Sequence, residues 1–271
     1  MHKIKQNSGF TLVELSIVIV IIGLIVAGVV GGQALVRQAQ LRSVVVDVNN
    51  YKIAINTFKL EYNQLPGDFD NAFAYWNTQC ASNAERCNGD GNKIISNSGS
   101  GGANNKVEAF RAWQHLQLSE ILETGLIDPY IGNYAASSWP APWCINANHS
   151  VRGFNNPSSK IINGTFGLIY SDPTTSSISQ HILVVDKPFQ HHIYFGRDRA
   201  QCRRASIDAV ISPKESFAID SKIDDGTPFQ GAVKDLNTVA DVTPNCRTGA
   251  GASAEYNLSF NDIACSLLFE L

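Results

Sequence analysis

Residues 10–32 read FTLVELSIVIVIIGLIVAGVVGG. Only Thr11, Glu14 and Ser16 interrupt its apolar character, and the run from Leu15 to Gly32 is 18 residues long. As a helix it reaches about 27 Å at roughly 1.5 Å per residue, enough to cross a bilayer. The nine residues before Phe10, MHKIKQNSG, are polar and carry Lys3 and Lys5, and no comparable basic cluster follows the apolar run. That asymmetry predicts a cytoplasmic N-terminus and a translocated remainder. An ordinary secretory signal and a plain signal anchor are the competing explanations, since Gly28 to Gly32 can pass for a small-residue cleavage site.

Helical periodicity continues beyond the apolar run. Leu41, Val44, Val48, Tyr51, Ile55, Phe58 and Tyr62 recur at alternating intervals of three and four, which lays an apolar stripe along one side of a helix. Val45, Val46 and Ile53 widen that stripe beyond the narrow seam of a free coiled coil, so packing under a globular head is expected. Pro66 disfavours helical geometry at Leu65 and Gly67 supplies a turn, which predicts an end near Gln64.

The full chain of 271 residues carries 21 basic and 24 acidic side chains, a formal charge of −3. Neither sign forms a long run, so nucleic acid is not the expected partner. Cys80, Cys87, Cys144, Cys202, Cys246 and Cys265 all follow the apolar segment, a distribution that fits an oxidising compartment beyond a membrane. Six reduced or metal-bound cysteines are the alternative, although no CxxC pair is present. Six cysteines allow many connectivities; Cys80 with Cys87 and Cys246 with Cys265 are the preferred local pairs, leaving Cys144 with Cys202.

The remainder reads as a mixed head. A short helix presenting Phe69, Phe73 and Trp76, capped by Asp68 or Asp70, is expected after the turn at Pro66. Loop is expected from Cys80 to Asn105, then a helix from about Asn105 to Gly125 with Val107, Phe110, Trp113, Leu116 and Ile121 on its apolar face. A proline-containing loop from Trp139 to Asn163 precedes short strands at Thr165–Tyr170, His181–Val185 and His192–Phe195. Ser212-Pro213-Lys214-Glu215 is a capping box with proline at the first helical position, which predicts a helix to about Ile223. Cys265, Leu267, Phe269 and Leu271 alternate as a half-buried closing strand.

In the string GFTLVELSIVIVIIGLI (residues 9–25), Gly9 precedes Phe10 and Glu14 stands five residues into the chain that cleavage would leave. This resembles the prepilin processing site of type IV pilins and type II secretion pseudopilins. The resemblance implies that a prepilin peptidase cuts between Gly9 and Phe10, that the new amine is methylated, and that an inner-membrane assembly platform polymerises the product with homologous pilin or pseudopilin subunits. YNQLPGDFDNAFAYW (62–76), CNGDGNK (87–93), FRAWQHLQL (110–118) and IDSKIDDGTPFQG (219–231) also look like blocks of a large pilin-like subgroup with the same leader. The implied fold is α+β: a long helix, transmembrane in its first half and amphipathic in its second, packed on an antiparallel-sheet head with loop insertions. The expected organisation is a leader at 1–9, a transmembrane assembly helix at 10–36 and a periplasmic head at 37–271. The implied location is the inner membrane, with the head in the periplasm and, after assembly, in a filament. A carboxylate near the end of a membrane helix is costly unless partnered, and the freed amine of a neighbouring copy is the partner expected for Glu14.

The best candidate for site chemistry is Cys87-Asn88-Gly89-Asp90-Gly91-Asn92-Lys93-Ile94. Asn88, Asp90 and Asn92 alternate as the first ligands of a calcium loop do, and the Ile94 carbonyl can follow them. Gly99 stands where such a loop carries its bidentate acid, so Glu108 or Asp68 is the expected substitute. A glycine-rich turn bonded to its own backbone, with Glu108 as a helix cap, accounts for the same residues without calcium. His181, His191 and His192 are read as strand residues rather than zinc ligands. Asp220 with Asp224 and Asp225 is read as a helix-ending turn before a cation site, and Arg197, Arg199, Arg203 and Arg204 as a solvated basic face. No nucleophile motif, phosphate loop or catalytic dyad appears, so an enzyme is not expected. A membrane-anchored periplasmic module that binds calcium or another ligand without polymerising is the second functional reading.

Overall fold

The structure is a computed structural model, and it describes residues 11–81, 84–96, 108–123, 126, 150, 152–171, 189–197, 207–236, 245–249 and 253–271. The chain divides into two compact units, Met1–Arg42 and Ser43–Leu271. The fold class is α+β, as expected.

Helix α1 runs from Leu12 to Tyr62. In the first unit every residue from Thr11 to Gly31 is exposed, and this stretch is long and apolar enough to cross a membrane. From Val44 onward the same helix is half-covered: Val44, Val48, Tyr51, Ala54, Ile55 and Phe58 are buried. The helix ends two residues earlier than its proline predicts, because Asn63 takes a left-handed conformation at φ 56°. Asparagine tolerates that geometry and so closes the helix before Pro66 can.

In the second unit, β1 (Gly164–Tyr170), β2 (His191–Arg197), β3 (Val233–Asp235) and β6 (Leu267–Glu270) form an antiparallel sheet in the order β1-β2-β6-β3. One face meets α1, where Tyr51 lies edge-on to Phe166 at 5.2 Å and to Trp113 of α4 (Glu108–Leu118) at 5.0 Å. On the other face Ile169, Tyr194, Ile207, Leu236 and Leu268 form a second cluster. Gly167 leaves the space over β1 in which the Tyr194 ring lies, and the Tyr194 hydroxyl accepts from Asn156 Nδ2 at 2.8 Å.

The closing strand is therefore central and not half-buried: Leu267, Leu268 and Phe269 are all sealed from solvent, because β6 lies between β2 and β3 with side chains packed on both faces. Helix α4 is shorter than expected, since Glu120 turns the chain at φ 59° after Leu118 and leaves Ile121 beyond the helix; Asn105, Val107 and Gly125 lie outside the described residues. The expected loop after Cys80 contains one helical turn, α3 (Ala84–Cys87). Helix α2 (Ala72–Trp76) starts after Phe69, and its N-cap Asn71 makes no side-chain cap bond; Asp68 and Asp70 bond elsewhere. Helix α5 (Pro213–Ile223) carries the capping box in full, with Glu215 N donating to Ser212 Oγ and Ser212 N to Glu215 Oε2. A 3-10 turn at Asn77–Gln79 follows α2, and β4 (Arg247–Thr248) and β5 (Glu255–Tyr256) form a hairpin. The strand expected at His181–Val185 lies outside the described residues.

Disulfides join Cys80 to Cys87 and Cys246 to Cys265, with Cα–Cα distances of 5.5 and 5.1 Å. Both local pairs are those expected, and among the described residues no cysteine is free. Cys144 and Cys202 lie outside the described residues.

Candidate functional site

At the start of α1, Glu14 has a partner in its own chain. Thr11 precedes the first helical residue, and its amide and hydroxyl donate to Glu14 Oε2 at 2.8 and 2.9 Å. Glu14 N donates back to Thr11 Oγ1 at 3.3 Å. Thr-Leu-Val-Glu is thus a capping box, in which cap and N3 residue satisfy each other's otherwise unpaired amides. The Thr-x-x-Glu spacing that encodes this cap is visible in the sequence at Thr11 and Glu14. Gly9 and Phe10 lie outside the described residues.

The second feature is a group of three carboxylates in the head, with ligand atoms of Asp68, Asp90 and Glu108 all within 4.8 Å of one another. Three segments bring them together. The turn at Pro66-Gly67 delivers Asp68, the segment after α3 delivers Asp90, and the first residue of α4 is Glu108. Gly67 adopts φ 85° against the Glu108 backbone, and its amide donates to His115 Nδ1 at 2.9 Å. That bond fixes the His115 tautomer, so Nε2–H donates to the Cys87 carbonyl at 3.0 Å. Burial drives the His115 pKa down to about 3, so the ring stays neutral and ties turn, disulfide and α4 together. Gly89 packs directly on the Asp68 backbone, where a side chain has no room.

The loop wraps the acids with its amides. Asp68 accepts from Asn92 N at 3.0 Å and Lys93 N at 2.8 Å. Glu108 accepts from Asp90 N at 3.1 Å and Ser96 N at 2.8 Å, and Asp90 accepts from Asn92 N and Nδ2. Asp68 and Glu108 are 1% and 3% exposed, and burial raises their pKa values to about 6 and about 7, opposed by the loop amides and reinforced by the neighbouring acids. A bound proton or a hard cation would each relieve the repulsion of three acids held in this way. The remaining candidates face elsewhere: Asn88 Oδ1 accepts from Phe73 N at 2.7 Å and Asn92 Oδ1 from Ile94 N at 2.7 Å. Arg111 donates to the carbonyls of Asn88 and Glu85 and so anchors the loop to α4.

Asp220, Asp224 and Asp225 form a second acidic group, but each holds local structure. Asp220 accepts from Tyr256 at 2.9 Å and from Gly226 N at 3.3 Å, Asp224 from Ala232 N, and Asp225 from Thr227. His191 accepts from Ile95 N at 2.9 Å, His192 Nδ1 contacts the Gln190 carbonyl at 3.2 Å, and burial lowers both pKa values to about 4. His181, Arg199, Arg203 and Arg204 lie outside the described residues, and Arg197 is exposed at the end of β2.

Residues 4–30 match the family described as the prokaryotic N-terminal methylation motif. The chain therefore begins with a prepilin-like segment of the type IV pilin and pseudopilin kind, and the apolar start of α1 fits a single-pass, membrane-anchored protein. The searches of curated proteins and of solved structures returned no match.

Proposed function

We propose that this chain is a structural subunit of a type IV pilus-like or type II secretion pseudopilus filament. On this reading a prepilin peptidase cuts before Phe10, the new amine is methylated, and the assembly platform draws α1 from the inner membrane into a helical bundle while the head stays in the periplasm. The observation that carries it is the coincidence of the methylation motif at 4–30 with an apolar helix whose residues 11–31 are all exposed. Such a face is stable in lipid or against other helices of its kind, and the filament supplies the second. The test is recovery of sheared filaments from cells with and without an active prepilin peptidase. The chain should pellet with filaments only when the peptidase is active; a chain that stays wholly in the membrane fraction in both cases defeats the proposal.

A structural calcium ion is the proposed occupant of the Asp68–Asp90–Glu108 group. Calcium takes several oxygen ligands in flexible geometry, and the three carboxylates are the protein donors that the group offers. Binding to the folded state alone raises stability by mass action. Excess calcium should raise the melting temperature of the full chain in detergent, chelator should reverse the rise, and Asp90→Ala should abolish it. An unchanged melting curve returns the group to a loop held by its own amides.

A further inference from the structure

Asn-x-Ser/Thr triplets begin at Asn148, Asn163 and Asn257, and the proline in Asn156-Pro157-Ser158 disqualifies that one. Such a triplet is the acceptor for N-linked glycosylation when it lies on a surface loop of a translocated protein. Asn148 lies outside the described residues. At Asn163 the third residue is closed off: Thr165 is fully buried in β1 opposite Gly196, and its hydroxyl donates to the Pro157 carbonyl at 2.9 Å.

Asn257 is arranged otherwise. It follows β5 and opens a turn in which Phe260 N donates to its carbonyl at 3.0 Å, with Leu258 and Ser259 exposed at the tip. Glu255, Asn261, Asp262 and Ile263 are exposed around it, so the turn is open to a second protein. Ser259 Oγ donates to Asn257 Oδ1 at 2.6 Å, and Asn257 Nδ2 makes no hydrogen bond among the described residues. The turn lies inside the loop closed by Cys246 and Cys265. That bridge belongs to an oxidising compartment, which is where such an acceptor is used.

We propose that Asn257 is the acceptor of an N-linked glycan, transferred to the folded head from a lipid-diphosphate-linked sugar. A carboxamide nitrogen is a poor nucleophile while its lone pair is shared with Oδ1. A hydroxyl held on Oδ1 stabilises the negative charge that this oxygen gains when Nδ2 gives up a proton. Nδ2 then bonds to the anomeric carbon of the sugar, and the bond from that carbon to the diphosphate oxygen breaks. The electron pair leaves with the lipid diphosphate, and the proton passes to a base of the transferase. The lipid carrier follows from the compartment, because a nucleotide-activated sugar is a charged cytoplasmic species that does not cross the bilayer. The inference rests on the proposed translocation of the head and adds to it a modification of the surface beside Leu258 and Ile263.

The test is glycopeptide mass spectrometry of the full-length chain purified from the membranes of cells that make it, with free thiols counted by alkylation in the same sample. The peptide containing Asn257 should carry a sugar mass on the asparagine, at an occupancy at least about tenfold above that of Asn163. Ser259→Ala, which leaves the asparagine in place, should lose the glycan and keep the Cys246–Cys265 bridge, whereas Ser259→Thr should retain both. An unmodified Asn257 in a chain whose disulfides are formed overturns the inference and leaves translocation standing. An unmodified chain with reduced cysteines overturns both. Equal occupancy at Asn163 and Asn257, or a glycan that survives Ser259→Ala, also overturns the inference, since the open turn and its hydroxyl would then not select the site.

Discussion

Helix α1 is one continuous element in two different circumstances. Between Leu12 and Gly31 its residues are exposed, while between Val44 and Phe58 it supplies six buried residues to the head. The first part gains its stability from whatever surrounds the chain, and the second from contacts within it. Substitutions that cost the same in hydropathy should therefore have unequal effects. Phe58→Ala removes a ring packed against Tyr62 at 4.4 Å, Phe69, Trp76 and His115 and should destabilise the head by about 3–5 kcal/mol. Ile22→Ala should leave head unfolding unchanged. Denaturant unfolding of both variants in detergent, followed by tryptophan fluorescence, checks this; equal shifts would break the contrast.

The disulfides sharpen the same comparison, since none of the six cysteines lies in the first unit. Replacing Cys246 and Cys265 by serine should cost about 3 kcal/mol, and replacing Cys80 and Cys87 about 2.5 kcal/mol, because the second loop is shorter. The Cys80–Cys87 pair should show a further effect, a loss of calcium response, because His115 and Arg111 tie the adjoining loop to the same helix as Glu108. Calorimetry with and without calcium separates the two.

The carboxylates give a smaller effect with a defined sign. Glu108 is raised from its ordinary value to about 7 by burial, so between about pH 4.5 and 7 the folded state binds more protons than the unfolded one. Its contribution to stability therefore falls as pH rises through that window. His191 and His192, lowered to about 4, act in the opposite direction below about pH 6.5, so the informative quantity is a difference. The parent should lose stability relative to Glu108→Gln between about pH 4.5 and 7 in chelator, and calcium should remove that loss. A gap independent of pH would mean that the buried acid is not the cause.

How much of this was legible depends on the range of the interaction. The apolar run, the capping box at Ser212–Glu215 and the two disulfides closed across 7 and 19 residues are local, and sequence was enough for them. The carboxylate group was half legible: Asp90 was marked by its glycine-rich loop, and Asp68 and Glu108 were named as candidates, but only the folding of turn, loop and α4 onto one another joins them. The position of β6 was not legible, because Leu267, Leu268 and Phe269 are sealed by strands that lie far apart in the chain. Helix α4 stopped early because Glu120 adopts a left-handed conformation that no glycine or proline announced.

The smallest expected effect separates two roles for Glu14. Glutamine can replace glutamate in a capping box, so Glu14→Gln should keep the Thr11 cap while removing the charge, and Glu14→Ala should lose both. If the charge pairs with the amine of a neighbouring copy, both variants should insert normally and both should be depleted from filaments. If capping is the whole role, Glu14→Gln should incorporate like the parent and only Glu14→Ala should fall, with a cost of about 0.5–2 kcal/mol to the helix start. Quantitative mass spectrometry of sheared filaments and membranes reads the difference.

The most direct measurement is the N-terminal mass of the chain isolated from the membrane and from filaments. The account predicts a chain beginning at Phe10 with a methylated amine, and an uncut precursor when Gly9 is replaced. A chain beginning near Gly31, or an uncut and unmethylated one in cells with active prepilin peptidase, would contradict it.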